Sequence, residues 1–173
     1  MPAIPVILCM PDLLPEIRNA ARALIVQSDR VLLIRKEGGE RGERFALPGG
    51  AQDPGETLKE ALNRECLEEI GTSVDIGDLV HVTDFFKLRD TRPPTRRHLV
   101  EFLFRCRLPE GYSPHNGPRP DKHQVGVVWA GVSELGQMPL FPNYLSACIA
   151  HHGDPGVARY LGAFHDHAAA KEY

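Results

Sequence analysis

Three glutamates, Glu65, Glu68 and Glu69, stand three and four residues apart within "ETLKEALNRECLEEIG", residues 56–71. On a helix, side chains so spaced are neighbours and their carboxylates converge. Their mutual repulsion is relieved best by a divalent cation, and an all-oxygen donor set selects Mg²⁺ or Mn²⁺ over zinc. The helix is well marked. Thr57 and Glu60 form a capping box after a turn at Asp53, Pro54 and Gly55, and Gly71 supplies the stop. Leu58, Ala61, Leu62 and Cys66 recur at helical spacing and define a buried stripe. At about 100° per residue the three glutamates fall on that same side, with Arg64 toward its edge. They also face the negative end of the helix macrodipole, each unfavourable by roughly 0.3–1 kcal/mol. A frayed end carrying exposed charge is the plain alternative, but Ile70 and Gly71 read as a docked terminus. The arrangement predicts a cation site.

The same residues resemble the Nudix box, G-x5-E-x7-R-E-U-x-E-E-x-G-U, where U is a bulky aliphatic. Gly50 is followed after five residues by Glu56, and after seven more by "RECLEEIGT". Cys66 and Thr72 stand at two aliphatic positions, and "FALPGG" resembles the usual lead into the box. The resemblance covers about residues 20–152 and implies an α/β fold, the Nudix α/β/α sandwich around a mixed β-sheet. It also implies hydrolysis of a pyrophosphate bond in a nucleoside diphosphate linked to another moiety. Carried over by position, Glu65 and Glu69 are the principal ligands of Mg²⁺, with Mn²⁺ able to substitute. Glu68 is a further ligand or a base, and the main-chain carbonyl of Gly49 joins the set. Arg64 orients the glutamates by pairing with Glu56 or Glu68, a supporting role. Gly50, Glu56 and Gly71 complete the box. The chemistry agrees: such an ion neutralises the anionic phosphates and lowers the pKa of a bound water, whose proton a carboxylate takes.

Substrate choice lies outside the box. The proline found about fifteen residues beyond it in ADP-ribose pyrophosphatases is absent, as is the tyrosine typical of dinucleoside-polyphosphate hydrolases. Some family members carry a further glutamate in a late loop. The corresponding "RPDKHQVGVVW" offers Asp121, His123 and Gln124 instead, so Asp121 is a candidate base, set against an ordinary exposed aspartate. In "KLRDTRPPTRRH", Arg96 and Arg97 could grip phosphates, or simply sit in a solvated loop. Arg35, at a strand end, is a better single candidate for phosphate contact. Trp129, Phe85, Phe86, Phe102 and Phe104 read as core, although Phe85 or Phe86 could face a pocket because adjacent strand residues point opposite ways. Two other functions use the same scaffold. A ligand sensor without turnover usually loses box glutamates, and isopentenyl-diphosphate isomerase chemistry needs a catalytic cysteine context that is missing here.

These residues must be held by 173 residues, enough for one domain with appendages. An N-terminal arm at 1–17, a domain at 18–152 with the box at 50–72, and a tail at 153–173 are expected. Runs 21–27 and 31–36 joined by "SD" predict a hairpin. Residues 44–47, 74–88, 97–108 and 124–131 read as strands, Ser133 as a helix N-cap, and 143–153 as a last helix. His165 and His167 are weighed as an adventitious metal pair against a disordered tail. A formal net charge of −3 gives no global basic field, so nucleic acid is not an expected partner. Cys9, Cys66, Cys106 and Cys148 lack metal or disulfide spacing. No signal peptide or membrane-spanning run is evident, which makes the cytoplasm the default compartment. The apolar arm "AIPVILCM" could cover a second copy, so a homodimer is considered, with a nucleotide-type small molecule as substrate.

Overall fold

In the computed structural model, residues 12–39, 41–151, 154 and 156–167 are described. Strand β1, Leu13–Leu24, organises them because its alternate residues face different cores. Ala21 and Ala23 turn to one side and Leu24 to the other. In one sheet β1 lies between β5, Gly49–Ala51, and β7, Thr95–Arg107, followed by β6, Asp75–Arg89, and β9, Tyr160–His165. The β1–β7 and β6–β9 pairs are parallel and the other two antiparallel, giving the expected mixed sheet. A second, antiparallel sheet joins β2, Val26–Gln27, β3, Arg30–Lys36, and β4, Arg44–Ala46, with β8, Gln124–Gly131, on β3.

The expected hairpin forms, with Ser28 and Asp29 at φ 47° and 56° as its two-residue turn. Positive φ at both central residues matches the twist of the strands it joins. The run 21–27 is nevertheless shared between the two sheets, breaking at Ile25.

Helix α1, Leu58–Ile70, packs Leu62, Cys66 and Ile70 against Ala21, Ala23 and Ile34. Helix α2, Leu145–Ala150, packs Leu145, Cys148 and Ile149 with Leu24, Leu33 and Phe85 on the opposite side. The strands thus lie between two helical layers. Each fully buried leucine or isoleucine contributes about 1.5–3 kcal/mol. Cys66, Cys106 and Cys148 are free and buried, while Cys9 lies outside the described residues.

Several boundaries differ from expectation. The sheet extends past 18–152 at both ends: β1 begins at Leu13, and β9 pairs with β6 in part of the expected tail. Asp166 is buried there, held by Arg41 at 2.9 Å and by the Leu88 N–H at 3.0 Å. Ser133 is not a cap. A 3₁₀ turn, Val132–Gln137, starts one residue earlier, and Glu134 accepts from the Gly131 N–H at 3.1 Å. Helix α2 is shorter than expected, and the stop at Gly153 and the arm at residues 3–10 lie outside the described residues.

The loop between β7 and β8 covers the C-terminal end of α1. Arg119 N–H donates to the Glu68 carbonyl at 3.0 Å and Gly117 N–H to that of Glu69 at 2.9 Å. The Gln124 amide also reaches the Glu69 carbonyl at 2.7 Å, and the Tyr112 hydroxyl that of Ile70 at 2.9 Å. Carbonyls that a helix end leaves unbonded are thereby satisfied. A Cβ at Gly117 would lie 2.4 Å from the Glu68 carbonyl oxygen. Gly117→Ala is therefore expected to destabilise the protein by about 1–3 kcal/mol in urea unfolding, and an unchanged midpoint would refute this docking.

Candidate active site

The box places two glycines under two glutamates. Gly49 stands opposite Arg22 in the β1–β5 pair and Gly50 opposite Ala21. Gly49 has φ 123°, and a Cβ there would fall 2.1 Å from the Ala21 carbonyl oxygen. A Cβ on Gly50 would lie 2.5 Å from the Glu65 carboxyl carbon. Only glycine lets the strand approach the helix this closely.

Glu69 is 3 % exposed, on the buried stripe itself. Its Oε2 accepts from the Gly49 N–H at 2.8 Å. Burial pushes its carboxyl up to about 7, against the Gly49 hydrogen bond and the pull of Lys36 and Arg22. The Arg22 guanidinium donates to the Gly49 carbonyl and, at 2.9 Å, to Glu101, which also accepts from the Tyr144 hydroxyl. Burial alone would lower the proton affinity of Arg22, but Glu101 and Glu69 more than reverse this.

Arg64 is held at the rim by carboxylates. It meets Glu56 through two nitrogens at 2.7 and 3.1 Å, Glu65 at 2.8 Å and the Ala51 carbonyl at 3.0 Å. The forked contact holds Glu56 below its ordinary proton affinity. Glu68 is 3.9 Å from Arg64 but bonded to Arg119 at 2.6 Å.

Glu65, Glu69, Gly49 and Gly50 border a cavity of about 300 Å³. A family model for the NUDIX domain matches residues 16–147. The chain belongs to the Nudix family. It is similar to the nucleoside triphosphatase NudI of Enterobacter sp. (strain 638), with 42 % identity over 55 residues, or 30 % of this chain and 39 % of that protein. It is also similar to the ADP-ribose pyrophosphatase of Methanocaldococcus jannaschii, with 33 % identity over 85 residues, 49 % of this chain and 47 % of that one. These matches span less than half the length of either relative. The fold is like that of a NUDIX hydrolase crystal structure from Nitrosomonas europaea, with a TM-score of 0.63 at 21 % identity, covering 86 % of this chain and 79 % of that one.

Of the residues singled out in the sequence, Glu65, Glu69, Gly49, Gly50, Asp121, Arg97 and Phe85 border this Nudix cavity, whereas Glu68 and Phe86 are not in its lining. Arg35 instead pairs with Glu37 and, at 2.9 Å, with Glu43. Arg96 is bonded to Asp12 at 3.1 Å and to the Asp166 carbonyl at 3.1 Å. Asp121 is paired with Lys36; burial raises its proton affinity, but Lys36 brings it below the usual carboxylate range. Sequence reasoning missed Arg18, Arg22, Lys36 and Glu101, and counted Lys87 and Arg89 only as part of a basic loop. Alternation along β1, β6 and β7 could have grouped them, had the pairing register been known.

Among the described residues, no three His, Cys, Asp or Glu side chains form a cluster able to hold an ion. The two carboxylates of Glu65 and Glu69 and the Gly49 carbonyl, which has a second lone pair, still form a hard-oxygen set that fits a divalent cation. The raised affinity of Glu69 gives a test without turnover. A carboxyl that binds its proton more tightly when folded stabilises the protein below about 4.5 and loses that advantage as pH rises through about 7. In EDTA at pH 8, Glu69→Gln should therefore be more stable than wild type by about 1–3 kcal/mol, with the gain vanishing near pH 4. Thermal unfolding across that range checks it; a gain independent of pH would contradict the assignment.

Proposed function

We propose that this Nudix protein hydrolyses a pyrophosphate bond in a nucleotide-type small molecule with the aid of Mg²⁺, for which Mn²⁺ can substitute. The observation that carries the reading is the buried Glu69 carboxylate, beside Glu65 and the Gly49 carbonyl, in a cavity otherwise rich in cations. Glu65, Glu69 and the Gly49 carbonyl would hold the ion. When bound, Mg²⁺ supplies charge neutralisation at the phosphates and a lowered pKa for water.

The protein's own side chains do the rest. Arg64 fixes Glu65 by holding its Oε1, and Glu56 fixes Arg64. Oε2 of Glu65 has no hydrogen bond among the described residues and is left to ligate the ion. The proton of the attacking water would go to Asp121 or Glu68. Lys36 keeps Asp121 ionised and so able to accept it, though with lowered affinity, and Glu68 would first have to release Arg119. Lys36 and Lys87 face the phosphates from the cavity wall. Burial, reinforced by Arg22 and Lys36, lowers the Lys87 ammonium to about 8, a cost that an anionic substrate would relieve.

No cysteine borders the cavity among the described residues, so nothing there supports isomerase chemistry. Among those residues no helix is long and apolar enough to cross a membrane. Names of the relatives support nucleoside triphosphates and ADP-ribose as the first substrates to assay. Formation of the nucleotide products, separated by chromatography, in Mg²⁺ and in Mn²⁺, across these, other sugar nucleotides and dinucleoside polyphosphates, tests the reading. Glu69→Gln should lower kcat by about 10²–10⁴ with its fold retained. Binding without turnover across the whole panel would replace hydrolysis by ligand sensing.

A further inference from the structure

The cavity-facing side of the first sheet changes character along its strands. Alternation places Arg18, Ala20 and Arg22 of β1 on one face, beside Leu99, Glu101 and Leu103 of β7. Phe85 and Lys87 of β6 continue the rows, opposite Leu99 and Arg97. At the carboxylate end the charges are compensated, Arg22 by Glu101 and Lys36 by Asp121. Leu99 and Phe85 follow, both buried, as an apolar floor. Arg18 stands in that same row, opposite Leu99, and Arg97 and Arg89 lie beyond it. Lys87 is opposite Arg97 but close enough to Arg22 and Lys36 to feel their charge. All four are half-buried and border the same cavity.

Those four cations have no ion pair or side-chain hydrogen bond among the described residues; Lys87 only overlies the Phe141 ring at 5.6 Å. Burial, then Arg89 and Arg18, lower the proton affinity of Arg97, and Glu16 opposes them with a smaller effect. Six residues along β7 separate Leu103, which stands opposite Arg22, from Arg97, about 20 Å at 3.3 Å per residue, with Leu99 between them. That interval suits a base or sugar on the apolar floor better than the next phosphate of a continuous chain.

We propose that Arg18, Arg89 and Arg97 form a second anion seat that takes a phosphomonoester of the substrate, set apart from its pyrophosphate by the nucleoside on Phe85 and Leu99. Guanidinium groups converging on one cavity suit the oxygens of such a group. This rests on the hydrolase reading for the pyrophosphate end alone, so binding is measured apart from turnover.

Two probe pairs differ only by the relevant group: NADPH against NADH, and coenzyme A against dephospho-coenzyme A. With the full-length Glu69→Gln protein in Mg²⁺, nicotinamide fluorescence and competition give the affinities. The phosphorylated member should bind about tenfold more tightly or better in at least one pair. Adding Arg89→Gln and Arg97→Gln together should bring that ratio near one, with NADH affinity little changed and the thermal midpoint retained. Equal affinities in both pairs, or a preference that survives the two substitutions, would overturn the proposal. So would a preference for ATP over ADP without discrimination in either pair, since the arginines would then hold a phosphate chain. Discrimination by a protein that hydrolyses nothing would keep the seat and discard the hydrolase; hydrolysis without discrimination would do the reverse.

Discussion

A carboxylate buried at the negative end of a helix is costly twice, once for lost hydration and once for the dipole. Glu69 occupies that position, and much of the surrounding structure can be understood as what makes it tolerable. The loop from β7 to β8 bonds the carbonyls of Glu68, Glu69 and Ile70 and so reduces the exposed partial charge beneath the carboxylate. Gly49, without a side chain, can lie against the Ala21 carbonyl of β1 while its N–H donates to Oε2. Its carbonyl is then held by Arg22, which in turn engages Glu101, which accepts from Tyr144 beside α2. A line of polar contacts thus runs from one helical layer through the sheet to the other. A shift in any member is transmitted to the geometry of the box.

The buried Arg22–Glu101 pair needs a reason of its own. Removing two charges from water costs free energy that their attraction often fails to recover, so such a pair is weak evidence of stabilisation. Here it fixes a carbonyl beside the two carboxylates, and its value is positional. An apolar pair of similar volume would pack as well but would leave the Gly49 carbonyl unheld and weaken the positive field on Glu69, to which Lys36 also contributes.

What could be read from the chain follows the distance over which each feature is encoded. The cap at Thr57, the stop at Gly71 and the burial of Glu69 depend on residues within one helix, and spacing alone reveals them. Arg22 and Glu101 are 79 residues apart, and Arg41 and Asp166 are 125 apart. Such partners meet only once strand order and register are set, and local patterns do not contain that information. Arg35 shows the converse. Its place at a strand end made it a reasonable phosphate ligand, yet Glu37 and Glu43 neutralise it, while its neighbour Lys36 borders the cavity. On a strand, a shift of one residue exchanges the two faces. Strand β9 escaped notice because six residues containing Gly162 at φ 90° give little alternation to detect.

The unpaired cations around the apolar floor run against the logic that governs the rest of the molecule. Elsewhere the half-buried charges mostly find partners: Arg64 with Glu56, Lys36 with Asp121, Arg41 with Asp166. Leaving Arg18, Arg89, Arg97 and Lys87 together without an ion pair costs stability through lost hydration and mutual repulsion, which Glu16 only partly offsets at Arg97. Folding alone would favour a glutamate among them, as Glu101 serves Arg22 on the same sheet face. Local rules broken at one place in an otherwise consistent structure are expected where a ligand completes the interaction. The sheet face therefore carries two kinds of electrostatic order, one closed within the protein and one open to the cavity.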